Sequence, residues 1–322
     1  MELPSDLHQA LTHALGSITS ARLGRAAAAL SQRYRAGKAA EEGSLLSGPD
    51  DALAYAAHRM PATYAAIGAA LTAANARMSF APRQLLDVGA GTGAAAWAAT
   101  ALWPELERAT LIERDSSMLA LGRQLAAQAR AAVLRSADWR RGDLAGGALL
   151  TPHDLVTAAY LLGELSESAR VGLVDRLWAA TGGLLVIIEP GTPSGFAVMR
   201  AARDRLLAAG AIVVAPCPHQ AACPLTAGDW CHFAQRLARP AAQRRVKGAE
   251  LGYEDEKFAY VALARSPGTS IAARIIRHPH YAPGRVELQL CTPAGIEKRT
   301  VPKSAREIYR AARDLRWGDE IT

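Results

Sequence analysis

The chain has 322 residues, of which half are apolar, so it is long and hydrophobic enough to bury a sizeable core, which excludes a disordered polypeptide. Its formal net charge of +7 favours an anionic partner such as RNA without requiring one. At the start, "MELPSDLHQALTHALGS" carries Glu2 and Asp6 instead of a basic targeting region, and no apolar run approaches the roughly 18 residues of a membrane span. We therefore expect a cytoplasmic protein that does not enter a membrane.

Apolar residues at helical spacing run through the first part of the chain and predict an N-terminal helical lobe, residues 1–80. The pattern lies in "DLHQALTHAL", "SARLGRAAAALSQRYRAG" and "DDALAYAAHRMPATYAAIGAALTAANARM". Ser or Asp stands at the predicted starts of these segments, and the "SGPD" turn at 47–50 separates two of them.

From about Gln84 onward, short apolar runs alternate with helical patterns. The runs "QLLDVGAG", "RATLIERD", "HDLVTAAYLLGEL" and "GGLLVIIEPG" all end in polar or glycine-rich turns. Strands that alternate with helices predict an α/β fold whose parallel sheet is covered on both faces. We place this domain at 81–267, with a cysteine-containing insertion at 216–233.

The last region, 268–322, predicts a small β-rich module that ends in a basic helix. Two strand-like runs, "SIAARIIRH" and "RVELQLCTP", are followed by a "PAG" turn and by the helical segment "SAREIYRAARDLRWGD".

A glycine-rich loop, "LLDVGAGTGAAAWAA" at 85–99, follows the first strand and opens a helix. Gly89, Gly91 and Gly93 allow a sharp turn and a close approach of the backbone to a ligand, where a β-carbon would collide.

Three carboxylates accompany this loop. Asp87 precedes the glycines, and Glu113 ends the next strand, where a carboxylate can accept both hydroxyls of a ribose. Asp143 follows the third strand region and can accept an adenine amino group. The combination looks like motifs I and II of class I S-adenosylmethionine-dependent methyltransferases. A nicotinamide-binding Rossmann enzyme is the alternative, although its fingerprint usually reads G-x-G-x-x-G.

The fourth strand ends near Tyr160 and Glu164, where a substrate would meet a methyl group. It lacks the Asn/Asp-Pro-Pro-aromatic tetrapeptide typical of N-methylation, and no general base is evident, so the catalytic residues stay unknown.

Three of the four cysteines stand within residues 217–231, "CPHQAACPLTAGDWC". They are interpretable as buried apolar thiols, or Cys217 as a catalytic thiol like that of RNA cytosine-5 methyltransferases. They also suit a zinc site completed by His219 or His232, or an iron-sulfur cluster whose fourth thiolate is Cys291. The spacing alone does not choose between zinc and iron.

Basic residues are concentrated in two regions. The segment Arg236–Lys247 contains no acidic residue, and three arginines of the last helical segment recur at helical spacing. Such stripes are typical of phosphate contacts, and a solvated helix face is the alternative. The candidate RNA-binding residues are Arg244, Arg245, Lys247, Arg306, Arg310 and Arg313.

Together, these segments resemble one family, the methyltransferase-like proteins of the small ribosomal subunit, which are known best from mitochondria and have bacterial relatives. The matching segments are "LLDVGAGTG", "YLLGEL", "EPGTPSGF", "CPHQAACPL", "WCHF", "KGAELGYEDEKFAYVAL" and "LCTP". The resemblance covers about residues 50–322.

The resemblance implies a class I methyltransferase sheet, S-adenosylmethionine as cofactor, and action on small-subunit rRNA during assembly. It implies cofactor contacts at Asp87, Gly89, Gly91, Gly93 and Glu113. It also implies a structural 4Fe-4S cluster, with zinc as the alternative, on Cys217, Cys223, Cys231 and Cys291. His219 and His232 would then hydrogen-bond to the cluster or its loop.

Three functions compete on this basis. The first is a methyltransferase-like protein that acts on rRNA of the small subunit, the second is an assembly factor without methylation, and the third is a small-molecule methyltransferase. The basic C-terminal module disfavours the third. We expect the partner to be small-subunit rRNA or the assembling small subunit, and the protein to be monomeric away from the ribosome.

Overall fold

The computed structural model describes residues 2–35, 46–143, 150–226, 228–238 and 253–321, and a mixed sheet lies at its centre. Its strands are β1 (Gln84–Val88), β2 (Arg108–Glu113), β3 (Asp138–Arg141), β4 (His153–Ala159), β5 (Thr181–Pro190), β6 (Ile212–Ala215), β7 (Phe233–Ala238) and β8 (Tyr253–Ala264). In the described part of the chain their order is β3-β2-β1-β4-β5-β8-β6, and β7 pairs with the first half of β8. Strands β1 to β5 run parallel, whereas β8 is antiparallel to β5, β6 and β7.

Helices cover both faces of this sheet. They are α5 (Ala94–Leu102), α6 (Ser116–Ala126), α7 (Ala132–Arg135), α8 (Glu167–Ala179) and α9 (Pro193–Ala208), numbered after four N-terminal helices. Leu85 and Leu86 are neighbours on β1 but belong to different apolar clusters, because successive side chains of a strand point to opposite faces. Asp115, Ser166 and Thr192 accept backbone N–H groups at the starts of α6, α8 and α9, which fixes where these helices begin.

The four N-terminal helices are α1 (Ser5–Leu15), α2 (Ser20–Arg35), α3 (Pro49–His58) and α4 (Met60–Asn75). Helix α4 is apolar on nearly all sides and is covered by α5 and by strands β5, β7 and β8. Residues of α1, α3 and α4 therefore share one apolar core with the sheet. The domain boundaries at 80 and 267 stay a prediction.

This arrangement confirms the predicted fold class, an α/β class I methyltransferase sheet preceded by helices and followed by a small β-rich module. In such sheets a ligand binds beyond the carboxyl ends of the parallel strands, so the loops after β1 to β5 define the edge of interest. Among the described residues, no helix has the length and apolar character that crossing a membrane requires.

The C-terminal module is a second, antiparallel sheet made of β9 (Ala273–Ile275), β10 (His280–Ala282), β11 (Arg285–Thr292), β12 (Gly295–Pro302) and β13 (Glu320–Ile321). Alternate residues of β11 face its core, which the helix α10 (Arg306–Asp314) covers with Ala312 and Tyr309. The sequence predicted two strands here. Strand β12 escaped that prediction because, of its residues, only Val301 is buried and the others are largely polar.

Buried arginines join this module to the rest of the molecule. Arg77, just after α4, donates to the carbonyl of Thr269 at 2.6 Å, and its guanidinium lies 3.6 Å from Glu320. Arg274 of β9 donates to the same Glu320 carboxylate at 2.6 Å and to the carbonyl of Pro216 at 2.9 Å. One carboxylate thus serves two buried cations where the module meets the cysteine segment.

Candidate cofactor site and cysteine centre

The loop after β1 is shaped by three glycines in the left-handed region of backbone conformation. Gly89, Gly91 and Gly93 have φ values of 74°, 56° and 88°. A β-carbon at Gly89 would lie 2.9 Å from Leu161, and one at Gly93 would lie 3.0 Å from Trp139. These two glycines are required by the packing of the protein itself. Gly91 has only a methyl group at 3.4 Å, so its side of the loop has room for a ligand.

Glu113, at the end of β2, holds this loop in place. Its carboxylate accepts the Gly91 N–H at 2.8 Å and the Asp115 N–H at 2.8 Å. Burial raises the pKa of Glu113, and these backbone N–H groups oppose the shift. Each carboxylate oxygen keeps a second lone pair, so Glu113 remains able to accept hydroxyl groups of a ribose.

Asp87 is almost fully buried and only half satisfied. One carboxylate oxygen accepts the Thr157 hydroxyl at 2.8 Å, whereas the other, Oδ2, has no hydrogen-bond partner among the described residues. Burial raises the pKa of Asp87 to about 7, the Thr157 hydrogen bond lowers it, and the charge of Glu113 raises it. A buried acceptor without a partner requires a donor, and the ammonium group of an amino-acid ligand would provide one.

The structure brings the three predicted carboxylates to one edge of the sheet. Asp87 and Glu113 stand at the ends of adjacent parallel strands, and Glu113 pairs in register with Arg141 of β3. Asp143 is exposed and follows that third strand by two residues. These residues therefore lie at the carboxyl ends of consecutive parallel strands, the edge at which such sheets bind ligands.

Tyr160, which the sequence analysis placed at the end of the fourth strand, contacts two residues that it missed, Arg59 and Glu256. Tyr160, directly after β4, has a φ of 56°, which is uncommon for a residue with a side chain. Its hydroxyl donates to Glu256 at 2.9 Å, and Arg59 donates to both oxygens of the same carboxylate, at 2.8 and 3.1 Å. The three stand far apart in the chain, so no local motif signals their contact.

The turn after β4 is also fixed from the neighbouring strand. Glu189 of β5 accepts the backbone N–H groups of Leu162 and Gly163 at 2.8 and 3.2 Å. Burial raises the pKa of Glu189 to about 7. Glu164, in the same turn, lies 3.8 Å from Arg114. Glu189, the first residue of the "EPGTPSGF" segment, thus positions the turn that follows Tyr160.

The four cysteines line one cavity, together with Arg203, His219 and Arg274. Three of them come from the segment between β6 and β7, and the fourth lies on β11 of the C-terminal sheet: Cys217, Cys223, Cys231 and Cys291. All four are free thiols. His219 Nε2 lies 3.5 Å from Cys291 Sγ, a hydrogen-bonding distance for sulfur. His232 instead stacks on Trp230, with ring centroids 5.3 Å apart.

The pKa values of these thiols argue against a catalytic cysteine. Burial raises the pKa of Cys217 despite the nearby guanidinium of Arg203. Burial and the neighbouring thiols raise the pKa of Cys291 to about 12. A nucleophilic cysteine needs a lowered pKa, which neither residue has.

In the described ranges, no three His, Cys, Asp or Glu side chains stand in the arrangement of a bound metal ion. The donor set nevertheless fits a soft metal, because four sulfur atoms share one cavity. A second observation agrees: the buried guanidinium of Arg203 faces this cavity, and its Nε has no hydrogen-bond partner in the part of the chain described. A cation is buried at such a place only when negative charge is close to it.

Of the two predicted basic regions, the structure describes the arginines of the last helix but not the three candidate residues of the other region. Arg306, Arg310 and Arg313 are exposed on α10, and none of them forms an ion pair within the described residues. Arg244, Arg245 and Lys247 lie outside the described residues. Arg236, at the edge of that second region, pairs with Asp255 at 2.7 Å.

Comparison with known proteins gives a family match over residues 49–322, to a family described as "Mitochondrial small ribosomal subunit Rsm22". The mitochondrial ribosome assembly protein METTL17 of Homo sapiens is 31% identical over 83% of this chain and 61% of its own length. The mitochondrial Rsm22-cox11 tandem protein 2 of Schizosaccharomyces pombe is 27% identical over 83% of this chain and 42% of its own length. The chain thus spans less than two thirds of these relatives.

Among solved structures, magnesium protoporphyrin IX methyltransferase of Synechocystis PCC 6803 with bound S-adenosylmethionine aligns with a TM-score of 0.42. It is 12% identical to this chain, and the alignment covers 73% of this chain and 90% of that one.

The prediction of a cytoplasmic location is wrong in the light of these comparisons. The expectation depended on the lack of a basic targeting region at the first residues of the sequence. The matching family is described as mitochondrial, and so are METTL17 and the yeast relatives by their names.

The raised pKa of Asp87 predicts a pH dependence of stability that Asp87→Asn removes. A raised native pKa stabilises the fold below about pH 4, and this contribution is lost as the pH rises through about 7. Between pH 4.5 and 7.5 we expect the wild type to lose about 2–4 kcal/mol of unfolding free energy relative to Asp87→Asn. Urea denaturation at several pH values measures this difference.

The matched control is Asp175→Asn. Asp175 is exposed, and its pKa is lowered by the hydrogen bond from Arg205, so its contribution does not change in this pH range. A constant difference between Asp87→Asn and the wild type at every pH would contradict the prediction.

Proposed function

Since this chain belongs to the Rsm22 family of the mitochondrial small ribosomal subunit, we propose that it acts in assembly of a small ribosomal subunit as an S-adenosylmethionine-binding protein that contacts rRNA. The observation that carries the proposal is the edge formed by the glycine loop, Glu113 and Asp87. METTL17 and the Saccharomyces cerevisiae relative are named ribosome assembly proteins, which supports the same role here.

In the proposed cofactor site each carboxylate contacts a different part of the cofactor. Glu113 accepts ribose hydroxyls while it holds the loop through the Gly91 N–H. The unpartnered Oδ2 of Asp87 accepts the ammonium group of the methionine part, and Asp143 accepts the adenine amino group. The cofactor can make these contacts without moving Gly89 or Gly93, because packing fixes the positions of both glycines.

The cofactor supplies a methyl group on a sulfonium, a leaving group that needs little acid catalysis, so the protein's task in methyl transfer is positioning. Tyr160, Arg59 and Glu256 stand where an acceptor would approach. Their hydrogen bonds to one another leave the Glu256 carboxylate engaged by two donors. This supports a second candidate, an assembly factor that binds the cofactor and RNA without methylating it.

For the cysteine centre, we propose a structural 4Fe-4S cluster held by Cys217, Cys223, Cys231 and Cys291, with a single zinc ion as the alternative. Four thiolates satisfy either group. Because Cys291 belongs to the C-terminal sheet, the bound group would connect this sheet to the central one, and its loss would loosen their interface.

The basic face of α10 is proposed to contact phosphates of the rRNA. Arg306, Arg310 and Arg313 are exposed, so their charges are available to a partner. Arg244, Arg245 and Lys247 are proposed as a second contact.

We expect Gly91→Arg to abolish S-adenosylmethionine binding, by more than about 100-fold, because the new side chain is strained at a φ of 56° and fills the open side of the loop. Isothermal titration calorimetry measures this. Gly24→Arg is the control, since that glycine on α2 has no neighbouring atom within 4 Å and lies far from the loop in sequence.

Absence of binding by the wild type would contradict the cofactor proposal. Transfer of a labelled methyl group to small-subunit rRNA distinguishes the two candidates, because the assembly factor would bind the cofactor and leave the RNA unlabelled.

Anaerobically purified protein should contain about four iron and four sulfide per chain and show broad absorbance near ~400 nm. Cys217→Ser and Cys291→Ser should each release this metal, since both thiols line the same cavity. Ala222→Ser, an exposed change in the same loop, should retain it.

Colourless protein with one zinc per chain would rule out the cluster. If Cys291→Ser kept the full metal content while Cys217→Ser lost it, the metal would be a local site and the connection between the sheets would be wrong.

The double variant Arg306→Ala/Arg310→Ala should weaken binding to naked small-subunit rRNA and reduce the slope of log K against log salt by about 1.5, because two phosphate contacts are lost. Fluorescence anisotropy at several salt concentrations measures the slope. Arg285→Ala/Arg299→Ala removes the same charge from the same module, but these arginines pair with Glu287 and Glu297 and should change the slope less. Equal effects of the two variants would contradict a specific role for α10.

A further inference from the structure

Two guanidinium groups line the cysteine cavity. Arg203 extends from α9 of the central domain, and Arg274 extends from β9 of the C-terminal sheet. They are only 2% and 4% exposed, respectively, so neither charge is solvated by bulk water. Burial of this kind is costly unless an opposite charge compensates for it.

The carboxylates of the described residues compensate these cations incompletely. Arg203 donates to Asp204 at 2.8 Å, but the Asp204 side chain is 46% exposed and its attraction is weakened by water. Its other bonds go to the neutral carbonyls of Ala221 and His219, and its Nε has no hydrogen-bond partner among the residues that the structure describes.

Arg274 is in a similar position. Its carboxylate partner is Glu320, and Arg77, also buried, shares that carboxylate at 3.6 Å. The remaining bonds of Arg274 go to the carbonyls of Pro216 and Gly318. Arg203 and Arg274 thus bring more positive charge to the cavity than the carboxylates of the described residues neutralise.

We propose that Arg203 and Arg274 are the counter-cations of the four cysteine thiolates, and that they set the electrostatic potential of the metal group bound there. The proposal rests on the proposed cluster. Four thiolates around a 4Fe-4S core leave about two negative charges in its oxidised state, and the two guanidiniums offset them. Arg203 belongs to the central domain, which also supplies three of the cysteines, and Arg274 belongs to the C-terminal sheet, which supplies the fourth, so the site is charge-balanced only when the two parts are docked.

In a redox titration, one electron from a chemical reductant would add a negative charge to the cluster in this cavity, with no bond made or broken. Removing a nearby positive charge therefore disfavours the reduced state. Arg203→Gln or Arg274→Gln should lower the ratio of reduced to oxidised cluster at a fixed potential by on the order of tenfold each. For a one-electron couple, this corresponds to a midpoint potential that is lower by about 59 mV.

The experiment is an anaerobic redox titration of the full chain loaded with its cluster. Arg205→Gln is the matched control, because Arg205 lies on the same helix but pairs with Asp175 at the surface. Its midpoint should equal that of the wild type. Arg203→Lys keeps the charge and should return the midpoint to near the wild-type value, which a purely structural role of Arg203 would not produce.

The possible results test the counter-cation role separately from the proposed cluster. A wild-type protein that takes up no iron and sulfide overturns both. A loaded cluster whose midpoint is the same in Arg203→Gln, Arg274→Gln and Arg205→Gln overturns the counter-cation role alone. If the Gln variants fail to load, loading of Arg203→Lys with a wild-type midpoint supports the role of charge, and failure of Arg203→Lys as well overturns it.

Discussion

Strand β8 connects the two candidate sites, and their relative position depends on its pairing with three other strands. Near its start Glu256 binds Arg59 and Tyr160 at the edge of the cofactor site, and four residues later Tyr260 lines the cysteine cavity. The second half of β8, Phe258–Ala264, pairs with β5, which fixes the strand against the parallel sheet. A shift of β8 by one residue would turn every side chain to the opposite face and separate both sites from their partners.

Charges as well as apolar contacts hold the C-terminal sheet against the central domain. Its own core is small, and it meets the central domain through Arg77, Arg274 and Glu320 beside the cysteine cavity. Buried ion pairs stabilise a fold weakly compared with apolar packing, but they demand a defined partner geometry. The interface is therefore selective for the docked arrangement in which Cys291 joins the other three thiols.

The cofactor edge and the cysteine cavity are formed by different groups. At the edge, the loop is held by Glu113 and by contacts of Gly89 and Gly93 before any ligand binds. In the cavity, four free thiols lie beside two buried guanidinium groups. The chain belongs to a family described as "Mitochondrial small ribosomal subunit Rsm22", and METTL17 and the Saccharomyces cerevisiae relative are named ribosome assembly proteins.

The sequence by itself determined the α/β class, the glycine loop with Asp87 and Glu113, and the four cysteines as a set. These features have short-range causes: strand and helix periods, a glycine pattern, and residues at the ends of consecutive strands. Strand β12 was missed because its exposed residues hide the alternation. The contacts of Arg59, Tyr160 and Glu256, and the convergence of Arg203 and Arg274 on the thiols, were decided by tertiary structure alone. They join residues that are distant in the chain, and buried charges of this kind become visible only when packing removes them from water.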